Sequence, residues 1–452
     1  LGRGRGAASA VAVQMQHEVL PLPAEYGVDQ LPESSVRTLP LGSVVTSLDV
    51  HPNYPTTVLV GTADGTVSCW EAGAAHSVFE VPFSSQLELA ADPSVTRVVW
   101  GVDATYFGTA YSERAVHVRR TNVRGTEVTV HHHLELDAHQ GKVNDVAFTT
   151  PQGSLSMVTC GDDATVKVWS ATEGACLHVL EGHTGPVNSV CTYNKEGIDY
   201  IFSVSRDRTI KAWLYDDTGP RVNFEAPGTW CTCMAYSGDG KRLFSCGKDA
   251  NGKSTLVEWN ESEGTIVRGY QQFVNTSDEV VRLDTAVSKY IAIGNGHKVK
   301  YWDMDRLEPV LVLAVGPTLP QMPVVRFNHV GSLLFVSAGT DVKVLGSANG
   351  VKLLNQTQTA AGARHTIVGQ AAALAAGPRK IDGRTKAAQR VHASPVVAER
   401  RPNIEITERS DCECVLLPDT QDMSEVVVLN FTQSQSMLLA LCRNAHIKVW
   451  RW

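Results

Sequence analysis

The feature that most restricts how this chain can fold is a pair of near-copies. "AHQGKVNDVAFTTPQGSLSMVTCGDDATVKVWSA" starts at Ala138, and "GHTGPVNSVCTYNKEGIDYIFSVSRDRTIKAWLYD" runs from Gly182 to Asp216. His139 matches His183, Thr159 matches Ser203, Asp163 matches Asp207, and Trp169 matches Trp213, each pair 44 residues apart. A Ser, a His and an Asp in one stretch invite a catalytic reading. An active site is needed once, however, whereas a structural device recurs with every repeat. No GxSxG elbow or comparable nucleophile context accompanies these residues. The repeat therefore speaks to architecture first.

The position of Trp169 recurs at Trp70, Trp213, Trp259, Trp302 and Trp450, while Arg119 and Leu345 occupy two slots with the same surroundings. Seven slots thus lie between Trp70 and Leu345, and an eighth lies far beyond. Before each slot come short alternating apolar stretches such as "YIFSVS" and "RLFSCG", separated by turns such as "SGDGK". Short, evenly spaced strands with Gly/Asp turns predict an all-β chain. A period near 44 with Trp closing a strand predicts propeller blades of four strands. The apolar content of 43% is ample for such a core and too high for a largely disordered chain.

The two near-copies resemble WD repeats, and that resemblance gives the four matched residues a role. It places the His in the loop before the first strand and the Ser or Thr on the second. The Asp falls in the turn after it and the Trp on the third strand, with hydrogen bonds linking all four. Buried polar groups need partners, and a fully satisfied network stiffens a blade. His139, Thr159, Asp163 and Trp169 form one expected tetrad, and His183, Ser203, Asp207 and Trp213 the other. Blades five to seven depart from the pattern at "KDANGKS", Gly296 and Gly339. The resemblance also puts the His loop and the Asp turn on one face, around the channel mouth. Residues on that face expected to meet a partner are Lys142, Asn144, Asp162, Pro186, Asn188, Arg206, Trp230 and Thr232. Trp230 and Arg206 are the sharpest candidates, since Trp and Arg are enriched at binding hot spots and Arg206 suits an acidic peptide. The competing reading packs Trp230 across a blade junction.

The expected organisation is a disordered N-terminal segment (1–35), a seven-bladed WD-repeat β-propeller (36–356), a basic Ala/Gly-rich disordered linker (357–410) and a truncated start of a second propeller (411–452). "VRTLPL" (36–41) and "GVKLLNQ" (350–356) compete to close the ring. Between 356 and 401 eight Lys/Arg face two acids. The dispersed charges suit a solvated spacer, with an import signal or nucleic-acid contact as the alternative. A net charge of −7 gives the whole chain no generic pull on nucleic acid, and no apolar run reaches the roughly 20 residues of a membrane helix. The ten Cys include only Cys231/Cys233 and Cys412/Cys414 as close pairs, so no zinc spacing is present. "HHH" at 131–133 is the best metal candidate, but strand neighbours point to opposite faces.

Longer stretches carry a narrower likeness. "YIFSVSRDRTIKAWLYDDTGPRVNFEAPGTWCTCMAYSGDGKRLFSCGKD" (200–249), "LVEWNESEGTIVRGYQQF" (256–273), "LELDAHQGKVNDVAF" (134–148) and "SVRTLPLGSVVTSLDVHP" (35–52) resemble the plant Topless and Topless-related transcriptional corepressors. "KYWDMD" and "RNAHIKVWRW" fit the same family, and the likeness covers about 34–356 and 402–452. It implies a nuclear, non-enzymatic scaffold in regulation of transcription, binding transcription factors and chromatin-associated repressors, with no cofactor, no membrane and no sequence-specific nucleic-acid contact. The family's N-terminal helical region and most of its second propeller are not in this sequence, as expected of a fragment or a shortened relative. A different reading is a substrate receptor or adaptor of a ubiquitin ligase, but the Trp–Asp–any–Arg signature is absent: "YWDMDR" places Arg306 one position late. An enzyme remains the third class, without a nucleophile context or cofactor loop to support it.

Overall fold

A computed structural model describes residues 30–358, except 90–92, 125–126, 196, 216–219, 226–229, 249–253, 262, 274–282, 287–288, 296, 317–319 and 321–322, together with the backbone of four strands between 404 and 451. The chain divides into a unit at 1–377 and a second at 378–452. The linker expected at 357–410 and the N-terminal segment fall almost wholly outside the described residues.

Within the first unit, 28 described strands form seven sheets of four. The innermost strands are β2 (Val45–Val50), β6 (Val95–Trp100), β10 (Val143–Thr149), β14 (Val187–Lys195), β18 (Trp230–Tyr236), β22 (Leu283–Ala286) and β26 (Val325–Phe327). Each neighbours the next, and β26 returns to β2. The unit is a closed seven-bladed propeller.

Closure uses the first of the two competing segments. The strand β1 (Ser34–Pro40) pairs antiparallel with β28 (Asp341–Gly346), so that Ser34 faces Gly346 and Pro40 faces Asp341. Leu39 is fully buried there. Pro40 sits at the end of an outer strand, where its missing N–H costs no ladder bond. Residues 348–358 instead form a helix, α1. Ser347 caps it, its Oγ accepting from the Gly350 N–H at 3.2 Å. Leu353 and Leu354 bury into the junction of blades seven and one, and Arg37 on β1 donates to Gln358 at 2.6 Å. A Cβ on Gly73 of blade one would lie 2.8 Å from the Leu354 carbonyl oxygen, so only glycine allows the helix so close.

The core lies between blades. Seven apolar clusters each straddle one junction. Trp213 of blade four packs onto Val158, Cys160, Val166 and Val168 of blade three. Trp302 of blade six likewise meets Phe244 and Leu256 of blade five. Second strands such as β11 (Ser156–Gly161) and β27 (Leu333–Ala338) are buried at every residue, because a neighbouring blade covers each face. Outer strands such as β25 (Pro309–Leu313) alternate between exposed and half-buried.

The second unit shows one four-stranded sheet, in the order β29 (Ile404–Glu408), β32 (Ile447–Arg451), β31 (Met437–Cys442), β30 (Val426–Thr432). Its last three strands are antiparallel, and β29 joins β32 in parallel. The strand β29 lies inside the span expected to be linker; "IEITE" alternates with period two, a signal that the basic composition around it hid.

Leu354→Ala removes a side chain fully buried at the closing junction. It is expected to cost about 2–5 kcal/mol in denaturant unfolding, with the exposed Glu173→Ala as control. An unchanged midpoint would mean that α1 takes no part in closure.

Candidate partner-binding face and its structural tetrads

Ser203, His183 and Asp207 do adopt the spacing of a catalytic triad. The His183 Nε2 lies 2.8 Å from the Ser203 Oγ, and its Nδ1 lies 2.7 Å from the Asp207 carboxylate. What separates this from an active site is burial and a fourth member. Ser203 has no exposed surface, and its Oγ accepts from the Trp213 indole N–H at 2.8 Å. The hydroxyl proton then has one direction left, toward His183 Nε2, which assigns the imidazole proton to Nδ1 and to Asp207. A substrate carbonyl has no path to Ser203.

Blade three repeats the chain with Thr159. His139 lies 2.8 Å from both Asp163 and Thr159, and Trp169 donates to Thr159 at 3.0 Å. Each Asp also ties down its surroundings. Asp207 accepts from the Thr184 N–H at 2.9 Å, the Thr209 N–H at 2.9 Å and the Thr209 hydroxyl at 2.7 Å. The loop before the first strand and the turn after the second are thereby locked together. Burial opposes the charge on Asp163, but hydrogen bonds from His139, Gln140 and Thr165 hold its carboxyl well below the usual range. Asp207 is lowered in the same way, against burial, by Thr209, Thr184 and His183.

Blades two, five and six keep fragments of this device. Trp259 donates to Ser245 at 2.8 Å. Trp302 donates to the Gln271 carbonyl at 3.1 Å. In blade two Arg119 takes the Trp slot, nearly buried, and reaches Thr109 at 3.4 Å and His117 at 2.9 Å. His117 in turn meets Glu135 at 3.0 Å, which also receives the Gln86 N–H and the Ser85 hydroxyl.

Two further devices were not foreseen from the tetrad alone. Inner-strand carboxylates stitch one blade to the next: Asp49 accepts the Trp100 N–H at 2.7 Å, Asp145 the Ser189 hydroxyl at 2.6 Å, and Asp284 the Phe327 N–H at 2.7 Å. Arg326 spans Asp49 and Asp284 at 2.9 and 2.8 Å, and Arg97 pairs with Asp145 at 3.2 Å. These groups line a channel of about 870 Å³. Second, Lys167, Lys300 and Lys343, each two residues before a Trp slot, donate to the carbonyls of Ala138, Gln272 and Val315 at 2.7, 2.8 and 2.6 Å. The signal was present as "VKVW", "VKYW" and "VKVL".

The residues expected on the tetrad face are partly gathered. Asn144 donates to Asp162 at 2.8 Å and to the Val187 carbonyl at 2.9 Å, joining blades three and four. The Arg206 N–H donates to the Pro186 carbonyl at 2.9 Å and the Asp162 N–H to that of Lys142 at 3.0 Å. Lys142, Asp162 and Arg206 are exposed, Asn144 and Pro186 half-buried. Asn188 is buried, as are Val187, Ser189 and Val190 beside it, at the register shift between Val187 and Ser189, and it does not present its side chain to solvent. Trp230 and Thr232 lie on β18, but their side chains fall outside the described residues. Arg208, which no repeat motif marks, is also exposed and adopts φ +72° beside Asp207 where blade one has Gly65. Among the described residues, Lys142, Arg206 and Arg208 make no ion pair.

His183→Ala would strip partners from the buried Ser203 and from Asp207. It is expected to cost about 1–3 kcal/mol, against the exposed control Glu181→Ala; an unchanged melting temperature would sink the structural role. A pH dependence follows as well. Burial lowers the pKa of His183, and it brings His51 and His117 down to about 4, helped by His329 and Arg119 respectively. The unfolded chain therefore binds more protons than the fold from about pH 6.5 down to about 4, and stability falls with pH across that window. Melting temperatures taken through it should decline, less so for His117→Gln, and a flat profile would refute the assignment.

Comparison with known proteins matches the geometry. The WD domain, G-beta repeat, matches at 33–71, 130–170, 174–213 and 220–253. Topless-related protein 1 of Arabidopsis thaliana is 39% identical over 94% of this chain and 40% of its own length. Protein TOPLESS of the same plant is 39% identical over 95% of the chain and 41% of its own, and TOPLESS-RELATED PROTEIN 2 of Oryza sativa subsp. japonica 38% over 94% and 42%. The chain spans about two fifths of the length of these relatives. Its first unit is a seven-bladed WD-repeat propeller, and the chain is similar along nearly all of its sequence to the Topless and Topless-related proteins of plants.

Proposed function

We propose that the chain is a non-enzymatic protein-interaction scaffold that acts as part of a nuclear transcriptional corepressor. The relationship to the Topless proteins motivates the setting, and the tetrad face motivates the mode of action. One observation carries the second point. Lys142, Arg206 and Arg208 hold exposed positive charge, with no ion pair among the described residues, on a loop and a turn that the Asp163 and Asp207 networks tie down. A rigid platform spends little entropy on binding. Arg206 suits a carboxylate, bidentately, and Asp162 offers an acceptor to a backbone N–H of the same peptide. The partner on this reading is an acidic segment of a transcription factor or chromatin-associated repressor.

Two measurements test this reading. Tethered to a promoter through a foreign DNA-binding domain, the chain should lower reporter transcription. In pull-downs from nuclear extract, Arg206→Glu with Lys142→Glu should lose partners that the parent retains, while its melting temperature stays unchanged. Full retention of every partner by the folded double variant would place the binding surface elsewhere, and an unaffected reporter would remove the corepressor setting.

A further inference from the structure

Blade two departs most from the repeat, and its outer strand departs in a particular way. The outer strands of the other blades have five to seven residues, as in β13 (Cys176–Leu180) and β1. In blade two, β8 (Ala115–Arg124) and β9 (Glu127–Asp137) have 10 and 11. The second strand, β7 (Tyr106–Tyr111), pairs with β8 only as far as Tyr106 opposite Arg120. Beyond that point β8 and β9 continue as a two-stranded ribbon, with Thr121 opposite Val130 and Arg124 opposite Glu127. Four residue pairs extend the blade by roughly 13 Å.

A bare two-stranded ribbon is marginal in water, and this one is braced on one side. Thr121 donates to the carbonyls of Ala104 and Thr105, at 2.9 and 2.8 Å. Val130 packs on the apolar cluster between blades one and two. Cross-strand partners share a face, so Arg120 and His131 lie together, with Asn122 and Thr129 next along. Arg120 and His131 are both exposed. The Arg120 guanidinium lies over the Tyr106 ring, 5.8 Å from its centre. It makes no ion pair among the described residues. The nearby acids are already engaged: Glu135 by His117, Ser85 and Gln86, and Asp137 by Arg114 at 3.0 Å.

Among the described residues, no strand pairs with the far edge of β9. Exposed edges are normally blunted by Pro, Lys or brevity. "EVTVHHHLELD" has no Pro and no Lys, and its register shift, between Val118 and Arg119, leaves the run from Glu127 to His132 regular. That is a regular six-residue edge beside Arg120, which makes no ion pair among the described residues.

We propose that the β9 edge from Glu127 to His132 receives an extended peptide as an added strand, and that carboxylate side chains on that peptide pair with Arg120 and His131. Backbone hydrogen bonds supply the attachment and the charge supplies the choice of sequence, as in other strand-addition sites. The site is separate from the tetrad face and does not depend on the reading given for it.

The test uses a fluorescein-labelled ten-residue peptide of alternating Thr and Glu, read by anisotropy against the whole chain. Three comparisons accompany it: the same peptide N-methylated at alternate residues, a Thr/Lys peptide, and the Arg120→Glu and Arg206→Glu variants with unchanged melting temperatures. Strand addition predicts saturable binding, at least tenfold weaker after N-methylation and at least tenfold weaker for Arg120→Glu. It also predicts no binding of the Thr/Lys peptide and no change for Arg206→Glu. Equal affinity for the N-methylated peptide would reduce the site to loose electrostatic attraction and overturn the proposal. So would full affinity of Arg120→Glu, a loss confined to Arg206→Glu, or the absence of binding at millimolar peptide.

Discussion

The pairing of β1 with β28 is the contact on which the rest of the ring depends. Each apolar cluster lies between two blades rather than inside one. A blade at the end of an open row would leave one face in water, so the seven junctions are stable together or not at all. Stability in repeat architectures is a sum over neighbours, and closing the row adds one neighbour term without adding a blade. Here that last term is reinforced twice: β1 crosses from the opposite end of the chain, and α1 lays Leu353 and Leu354 into the same junction. The strand supplies directional hydrogen bonds, and the helix supplies buried area where β1 has only Leu39 fully inside.

Polar groups do a different job from the apolar clusters. The tetrads act within a blade, joining a loop to a turn, whereas Asp49, Asp145 and Asp284 act between blades. Burial raises the pKa of Asp284 despite the Arg326 beside it, so its charge is held at some expense. The return is geometric, because a carboxylate aimed at a neighbour's N–H fixes the height of one blade against the next. This also accounts for the tolerance of degenerate blades. With both neighbours clamped at the channel and packed along their faces, blade seven does without a polar tetrad and fills the Trp slot with Leu345, almost wholly buried.

Much of this was legible in the chain because the devices recur. A 44-residue offset at four positions is hard to produce except by repetition, and the strand alternation and turn residues agreed with it. What was hidden depends on partners far apart in sequence. Asp49 and Arg326 are 277 residues apart, and no local pattern announces their meeting. The choice between 36–41 and 350–356 was open for a physical reason: both have the hydrophobicity of an outer strand. The deciding features are Ser347 as a cap and adjacent leucines that a helix can bury together. On the tetrad face the residue types were legible but their exposure was not, and Asn188 is buried.

The buried networks and the exposed charges are two consequences of one constraint. Asp207 can accept from Thr184 and Thr209 only if the turn folds tightly back, and that turn forces a left-handed residue immediately after the Asp. Blade one meets the requirement with Gly65, blade three with Ala164 and blade four with Arg208, so the same backbone carries no side chain, a methyl group or a cation. The network thus fixes where a side chain stands and leaves its chemistry open. In blades one, three and four these turns form a set of rigid positions whose side chains can vary without disturbing the core. A ring of this kind separates stability from recognition, since the residues that hold it together are buried beneath those available to a partner.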